Sequence, residues 1–184
     1  MPVESLIEVH VPEIKRLFNA IDPSPFREKD IDPGAEDFIV NWAKELPRGA
    51  PLALVVHVSS AADDLRDAAL LPDAIHEFFR HRAIAFRQRL HMLFRRGRIS
   101  LLIGLTFLGV SIFIADLLAA DTSGSQFAKV LREGVLIGGW VAMWKPIEIF
   151  LYDWWPIRAD ARLADRLAVM PVRIHHVAGE ESRQ

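Results

Sequence analysis

Hydrophobic and polar positions change their rhythm near residue 98. Before it they alternate at the periods of a small folded domain; after it apolar residues run together. SLIEVHV (5–11) sets Ile7, Val9 and Val11 against Leu6, Glu8 and His10, the period-two pattern of a half-buried strand. Pro12 ends it, and a short helix is expected over 13–21. DPSPF (22–26) and DPG (32–34) carry turn chemistry. Asp32 can cap the next helix and Pro33 suits its first position. That helix, about 33–46, places Ala35, Phe38, Ile39, Trp42, Ala43 and Leu46 on one face. PRGAP breaks it, and LALVVHVS (52–59) reads as a nearly continuous apolar strand. Ser60, with Asp63 three residues on, reads as a helix cap, and Pro72 as an interruption of that helix.

From Asp73 a helix is expected to continue without a break into the first long apolar run. Ile75, Phe79, Phe86, Leu90 and Leu93 form its stripe, with arginines between them. Ile99 to Ala115 is seventeen residues without a charge. With Leu117 to Ala120 it can span roughly 30 Å of hydrocarbon at about 1.5 Å per residue. The turn-like DTSGS (121–125) follows, and the chain stays largely apolar from about Phe127 to Trp155. The two segments read as a helical hairpin. Beyond it, DARLADRLAVM (160–170) has the pattern of a short amphipathic helix, PVRIHHV (171–177) that of a third strand, and GEESRQ is a polar tail.

The expected fold is therefore an α+β membrane protein. A two-helix transmembrane hairpin is inserted in a small cytoplasmic α/β domain of about three strands. Its parts are the first section of the domain (1–72), a basic stalk helix (73–98), the first span (99–120), a periplasmic loop (121–128), the second span (129–157) and the domain's last helix, strand and tail (158–184).

Charge placement adds an orientation. Arg80, Arg82, Arg87, Arg89, Arg95, Arg96 and Arg98 precede the first span with no acid among them, and Arg158, Arg162 and Arg166 follow the second. The excess of arginine at these flanks points to both termini lying in the cytoplasm. Arg87, Arg95, Arg96 and Arg98 are then candidates for lipid headgroups. Tyr152, Trp154 and Trp155 are candidates for an aromatic interface belt. The formal net charge of −2 averages over uneven segments and decides little. MPVESLIEVHVPEIKR lacks the basic and apolar regions of a secretory signal. The chain has no cysteine, which excludes disulfides, thiolate metal sites and cysteine nucleophiles.

The second span contains the residues that most need an explanation. Lys145, Pro146 and Glu148 fall inside GGWVAMWKPIEIFLYDWWPIR (138–158). A central charge costs roughly 2.5–3.5 kcal/mol on insertion scales, while each Leu, Ile, Val or Phe returns about 0.3–0.6 kcal/mol. The span is marginal unless the two charges meet each other, another helix or water. They lie three residues apart, so they share a helix face. Pro146 offers no N–H to the carbonyl of Ala142. Gly134, Gly138 and Gly139 are small enough for close helix contact, and a homo-oligomer is expected. The intramembrane polar site expected here is Trp144, Lys145, Pro146 and Glu148, either lining an ion or proton path or fixing helix packing.

Period-two counting puts His10, His57 and His175, with Arg173, on the strand faces opposite the valines. If the strands adjoin in suitable register, three imidazoles converge and become candidates for a metal; otherwise they are unrelated surface histidines. The chain has no phosphate loop, no G-x-S-x-G elbow, no H-E-x-x-H and no acid pair at glycosidase-like spacing. No enzyme, cofactor or nucleic-acid partner is expected.

The tract WKPIEIFLYDWWPIR, with LFNAIDPSPFREKDIDPGAEDFIVNWAKELP upstream, resembles a group of uncharacterised bacterial two-span inner-membrane proteins over most of the chain. The resemblance implies a bacterial inner-membrane location. A thinner likeness exists to the mitochondrial calcium uniporter, which has a membrane hairpin and a W-D-x-x-E-P signature at its second span. Trp144 and Glu148 keep that spacing, but Lys145 replaces the acid and Ile149 the proline, and a cation beside the site argues against calcium. The expected function is a self-assembling two-span protein forming or gating an ion or proton path. The alternative is a membrane-anchored scaffold or regulatory subunit that binds an unidentified protein partner.

Overall fold

A computed structural model describes residues 5–26, 29–47, 49–59, 65–120 and 126–176. Strand β1 (Ser5–Val11) is followed by a 3-10 turn (Ile14–Leu17), helix α1 (Pro33–Glu45) and strand β2 (Leu52–Val58). Helix α2 (Leu65–Ala120) and helix α3 (Gln126–Ala142) come next. Then come helix α4 (Trp144–Glu148), a π-helical turn (Ile149–Asp153), helix α5 (Trp154–Leu167) and strand β3 (Val172–His176). The chain is mostly helical with one small sheet. It divides into two compact units, Met1–Ala85 with Asp160–Gln184, and Phe86–Ala159.

In the first unit the strands form a parallel sheet in the order β1-β2-β3. The crossover from β1 to β2 carries α1. The crossover from β2 to β3 contains the whole second unit. Ile7 and Val9 of β1 align with Leu54 and Val56 of β2, which align with Val172 and Ile174 of β3. This face packs on Ile39 and Ala43 of α1, on Leu71, Ile75 and Phe79 of α2, and on Leu167. Polar contacts close the unit from both sides of the long crossover. Arg166 donates to the carbonyl of Ala50 at 2.6 Å, and the His76 ring lies 2.7 Å from the carbonyl of Met170. Arg82 joins Glu36 of α1 at 2.6 Å, and Lys44 faces Asp160 at 3.2 Å.

Local chemistry follows the sequence at the start of α1, where the Asp32 side chain accepts from the N–H of Gly34 at 2.9 Å and Pro33 occupies the first position. Gly49 takes a φ of 102° between α1 and β2, a value that glycine adopts without a Cβ penalty. Four expectations need correction. The helix expected at 13–21 is only the single 3-10 turn. The backbone beyond it is taken up by residues 30–32, with Phe18 bridging Ile31 and the Asn19 N–H donating to Asp30. Phe38 and Trp42 are not in the core: they stack on each other at 5.8 Å and stay nearly half exposed, while Ile39 and Ala43 carry the buried stripe. Pro72 does not interrupt a helix. It lies within α2, whose buried Leu71, Ala74 and Ile75 hold the helix in place despite the lost N–H. The expected second span, 129–157, is not one helix but α3, α4, the π-helical turn and the start of α5, and the amphipathic helix expected at 160–170 is the end of α5. The Ser60–Asp63 cap, DTSGS and the tail from 177 onward lie outside the described residues.

Two stretches, Asp67–Ala119 and Lys129–Leu167, are long and apolar enough to cross a membrane, by length and composition. The second is markedly less apolar than the first.

Phe79 is 1% exposed at the centre of the first unit's core. Phe79→Ala is expected to lower unfolding stability by about 3–5 kcal/mol, read by denaturant titration. The Asp22 carboxylate accepts the N–H of Asp30 at 2.7 Å and that of Ser24 at 2.9 Å. These bonds, with the Asp30 N–H the largest cause, hold it below the usual carboxylate range. Their contribution is present above the unfolded value of about 3.9 and is lost as pH falls through the lower folded value. Asp22→Asn is expected to flatten that part of the acid unfolding profile.

Candidate functional site

The second unit is a hairpin closed by small residues at regular spacing. Among the described residues of α2 beyond Ala85, the buried ones are Gly97, Gly104, Ser111 and Ala115. The first three are seven apart, the repeat at which one helix keeps the same face toward a partner. A Cβ on Gly97 would lie 2.8 Å from Cγ2 of Ile149. One on Gly104 would lie 3.1 Å from both the Ala142 carbonyl oxygen and Sδ of Met143. Opposite Ser111, a Cβ on Gly139 would lie 3.0 Å from its Cβ and 2.9 Å from Cδ1 of Leu108. Backbones therefore approach as closely as glycine allows.

The middle contact sits where the returning helix breaks. Pro146 cannot donate to Ala142, and at this point the Met143 N–H donates to Trp140, three residues back, at 3.0 Å. The freed carbonyl of Ala142 lies against Gly104, and Pro146 is buried beside it. One turn later the backbone widens into the π-helical turn, whose Ile149 is buried against Gly97. Phe94 packs near Phe150 and Trp154, with centroids 6.2 and 6.5 Å apart.

On α4, Lys145 Nζ donates to Glu148 Oε2 at 2.9 Å. The two side chains are 63% and 40% exposed, and the pair neutralises itself at the surface of α4. Trp144, expected in the same site, is 71% exposed. The three glycines expected to pack helices divide in two. Gly139 closes the hairpin. Gly134 and Gly138 meet nothing within 4 Å and floor an open apolar groove between α2 and α3, walled by Phe107, Val110, Phe127 and Val130. Gly97 and Gly104 were not read as packing residues from sequence, although their seven-residue spacing to Ser111 was there to find.

The aromatic belt candidates also divide. Tyr152 and Trp155 are exposed, whereas Trp154 is half-buried, donates its Nε1–H to the Phe150 carbonyl at 2.9 Å and lies under Arg158 at 5.5 Å. That cation over the ring face is a favourable arrangement. Arg87, Arg95, Arg96 and Arg98 are all exposed on α2.

In the first unit, the register brings the three histidines into one row. His10 aligns with His57 and His57 with His175. The first two rings stack at 4.3 Å, and the second pair lies 5.6 Å apart. His57 Nε2 is buried, 3.9 Å from the Glu8 carboxylate, and has no hydrogen-bond partner among the described residues. As they stand, the described residues present no group of His, Cys, Asp or Glu arranged to hold a metal ion.

No family model, curated protein or solved structure matches the chain.

The division of the glycines yields a direct test. Gly139→Leu is expected to destabilise the hairpin by at least about 1–3 kcal/mol through overpacking. Gly138→Leu, which points into open space, is expected to leave the single chain's thermal unfolding in detergent nearly unchanged. Equal losses from both would contradict the assignment.

Proposed function

We propose that this chain is a self-assembling two-span protein of the bacterial inner membrane whose second spans surround a polar axis that passes or gates ions or protons. The observation that carries this reading is the Lys145–Glu148 pair. It sits within the second apolar stretch with more than half of the lysine side chain uncovered. Between the Gly104 and Gly97 contacts the pair lies level with the start of the first apolar run, and an exposed charge is costly wherever hydrocarbon reaches it, so the pair would face a bundle interior or water. Neighbouring copies supply that interior. The break at Met143 and Pro146 is tolerated because α2 buries it at Gly104, and that packing turns Lys145 and Glu148 to the uncovered side, where the axis would lie. The groove floored by Gly134 and Gly138 fits a helix of another copy.

The exposed arginines of α2 support an orientation with both termini cytoplasmic, in which they and Tyr152 and Trp155 would reach lipid headgroups. The 2.9 Å bond between Lys145 and Glu148 also favours a second reading, a membrane-anchored scaffold or regulatory subunit in which the pair is dry and only fixes packing.

Lys145→Met, Glu148→Gln and the double variant separate the two. On a wet axis each group is already solvated. The single variants then unfold near the parent temperature and change ion or proton flux in liposomes. In a dry seam each single change strands a charge, a loss of about 3–5 kcal/mol. Rescue by the double variant, with no flux from any form, would leave the scaffold standing and end the conduit.

A further inference from the structure

An edge strand presents a row of unpaired main-chain groups, and folded proteins usually blunt it with proline, lysine or a bulge. β1 is such an edge, because the sheet runs β1-β2-β3. Its residues SLIEVHV hold no proline, glycine or lysine, and they pair with β2 one for one without a bulge. The Ser5 N–H donates to the Pro51 carbonyl at 2.9 Å, and the Ser59 N–H donates to the Val11 carbonyl at 3.2 Å. The odd-numbered residues therefore turn their main chain toward β2. By alternation Leu6, Glu8 and His10 turn theirs outward, and among the described residues none of these three main chains has a hydrogen bond. All three residues are exposed, unlike Ala53 and Val55 at the centre of the sheet.

We infer that β1 pairs antiparallel with β1 of a second copy of this chain, about a two-fold axis through Val9, so that the two sheets join edge to edge. The charge pattern selects this register. With the axis at Val9, Glu8 stands opposite the second copy's His10, and His10 opposite the second copy's Glu8. Both pairs then exchange main-chain bonds through their outward groups and set a carboxylate beside an imidazole. The Glu8 side chain is 55% exposed and can reach that ring. An axis at Glu8 would set two carboxylates face to face, and one at Ile7 would leave each carboxylate against Leu6. The edge of β3 has no equivalent solution, because the same operation there sets Arg173 against His175 or against itself. An isologous contact requires a surface that complements itself, and among these edges the Val9 register of β1 provides one. Leu6 falls beside the second copy's Pro12, whose missing N–H ends the pairing.

This contact lies outside the spans and does not depend on what they conduct. The chain has no cysteine, so Glu8→Cys and His10→Cys each introduce a single one. Full-length chains of the two variants are mixed in detergent, reconstituted together in liposomes and mildly oxidised. Positions 8 and 10 of different copies should lie about 5.5 Å apart, whereas like positions should lie about 8 Å apart, beyond the roughly 7 Å reach of a disulfide. The mixture is therefore expected to link, and neither variant alone. Adding His10→Pro to the first variant and Glu8→Pro to the second removes outward N–H groups and leaves the bonds to β2 in place. Each is expected to unfold near its parent temperature, while the link falls about tenfold or more. No link in the mixture overturns the proposal, even if the particle stays oligomeric through its spans. So does a link of position 8 to itself as strong as the mixed one, or a link that ignores the prolines. Capture of position 8 by a cysteine at 175 would seat β3 of another copy on this edge and overturn it as well. Unfolding by either proline would turn those N–H groups inward, with the same consequence.

Discussion

Leu54, Val56 and Val58 can pair with β3 only if the chain, after leaving β2 and running through residues 59–171, returns to the strand edge it left. Parallel pairing requires a crossover in any case, usually a single helix. Here that crossover is the entire hairpin of the second unit. The sheet thus constrains the hairpin: both of its ends must join the first unit, one after the end of β2 and the other before the start of β3. Arg166 on Ala50 and His76 on Met170 lock the two ends of the crossover where they join the sheet. One chain segment is therefore subject to two demands: its helices must pack on each other, and its two ends must reach the sheet.

The hairpin meets these demands with size rather than polarity. Gly97, Gly104 and Ser111 remove side-chain bulk once every seven residues, and Ile149, the Ala142–Met143 break and Gly139 fill the space. The break is useful at that place. Pro146 frees a carbonyl that an ordinary helix would have satisfied, and Gly104 lets α2 come up against it. Lys145 and Glu148, one turn on, lie on the uncovered side. Packing and charge therefore divide the same short stretch between two faces, with Pro146 and Ile149 inward and the ion pair outward.

Much of this was legible in the residues, and the misses have physical causes. Strand positions, the Asp32 cap and the first long apolar helix follow from periodicity and run length, which depend on a few neighbours only. The opposite faces of the three histidines were also legible. That they form one row was not, because register is set by how separate segments dock, and a slip of one residue reverses a face. Pro72 misled because local propensity gives way where tertiary packing holds a helix. The glycines misled in a different way. Gly134, Gly138 and Gly139 cluster visibly, but one residue's rotation about the helix separates Gly139, in contact with α2, from Gly138, facing open space. The functional packing residues were the more widely spaced Gly97 and Gly104.

The measurement closest to the central claim reads which side of the membrane each end of the crossover occupies. Single cysteines can be placed at Glu13, exposed just after β1, at Val169, 78% exposed just before β3, and at Phe127, 74% exposed near the start of α3. A membrane-impermeant maleimide is then applied to right-side-out vesicles. The account predicts labelling at 127 alone, with 13 and 169 reacting together only after the vesicles are opened. Labelling of 169 from outside while 13 stays protected would contradict it, because β2 and β3 could not then share a sheet.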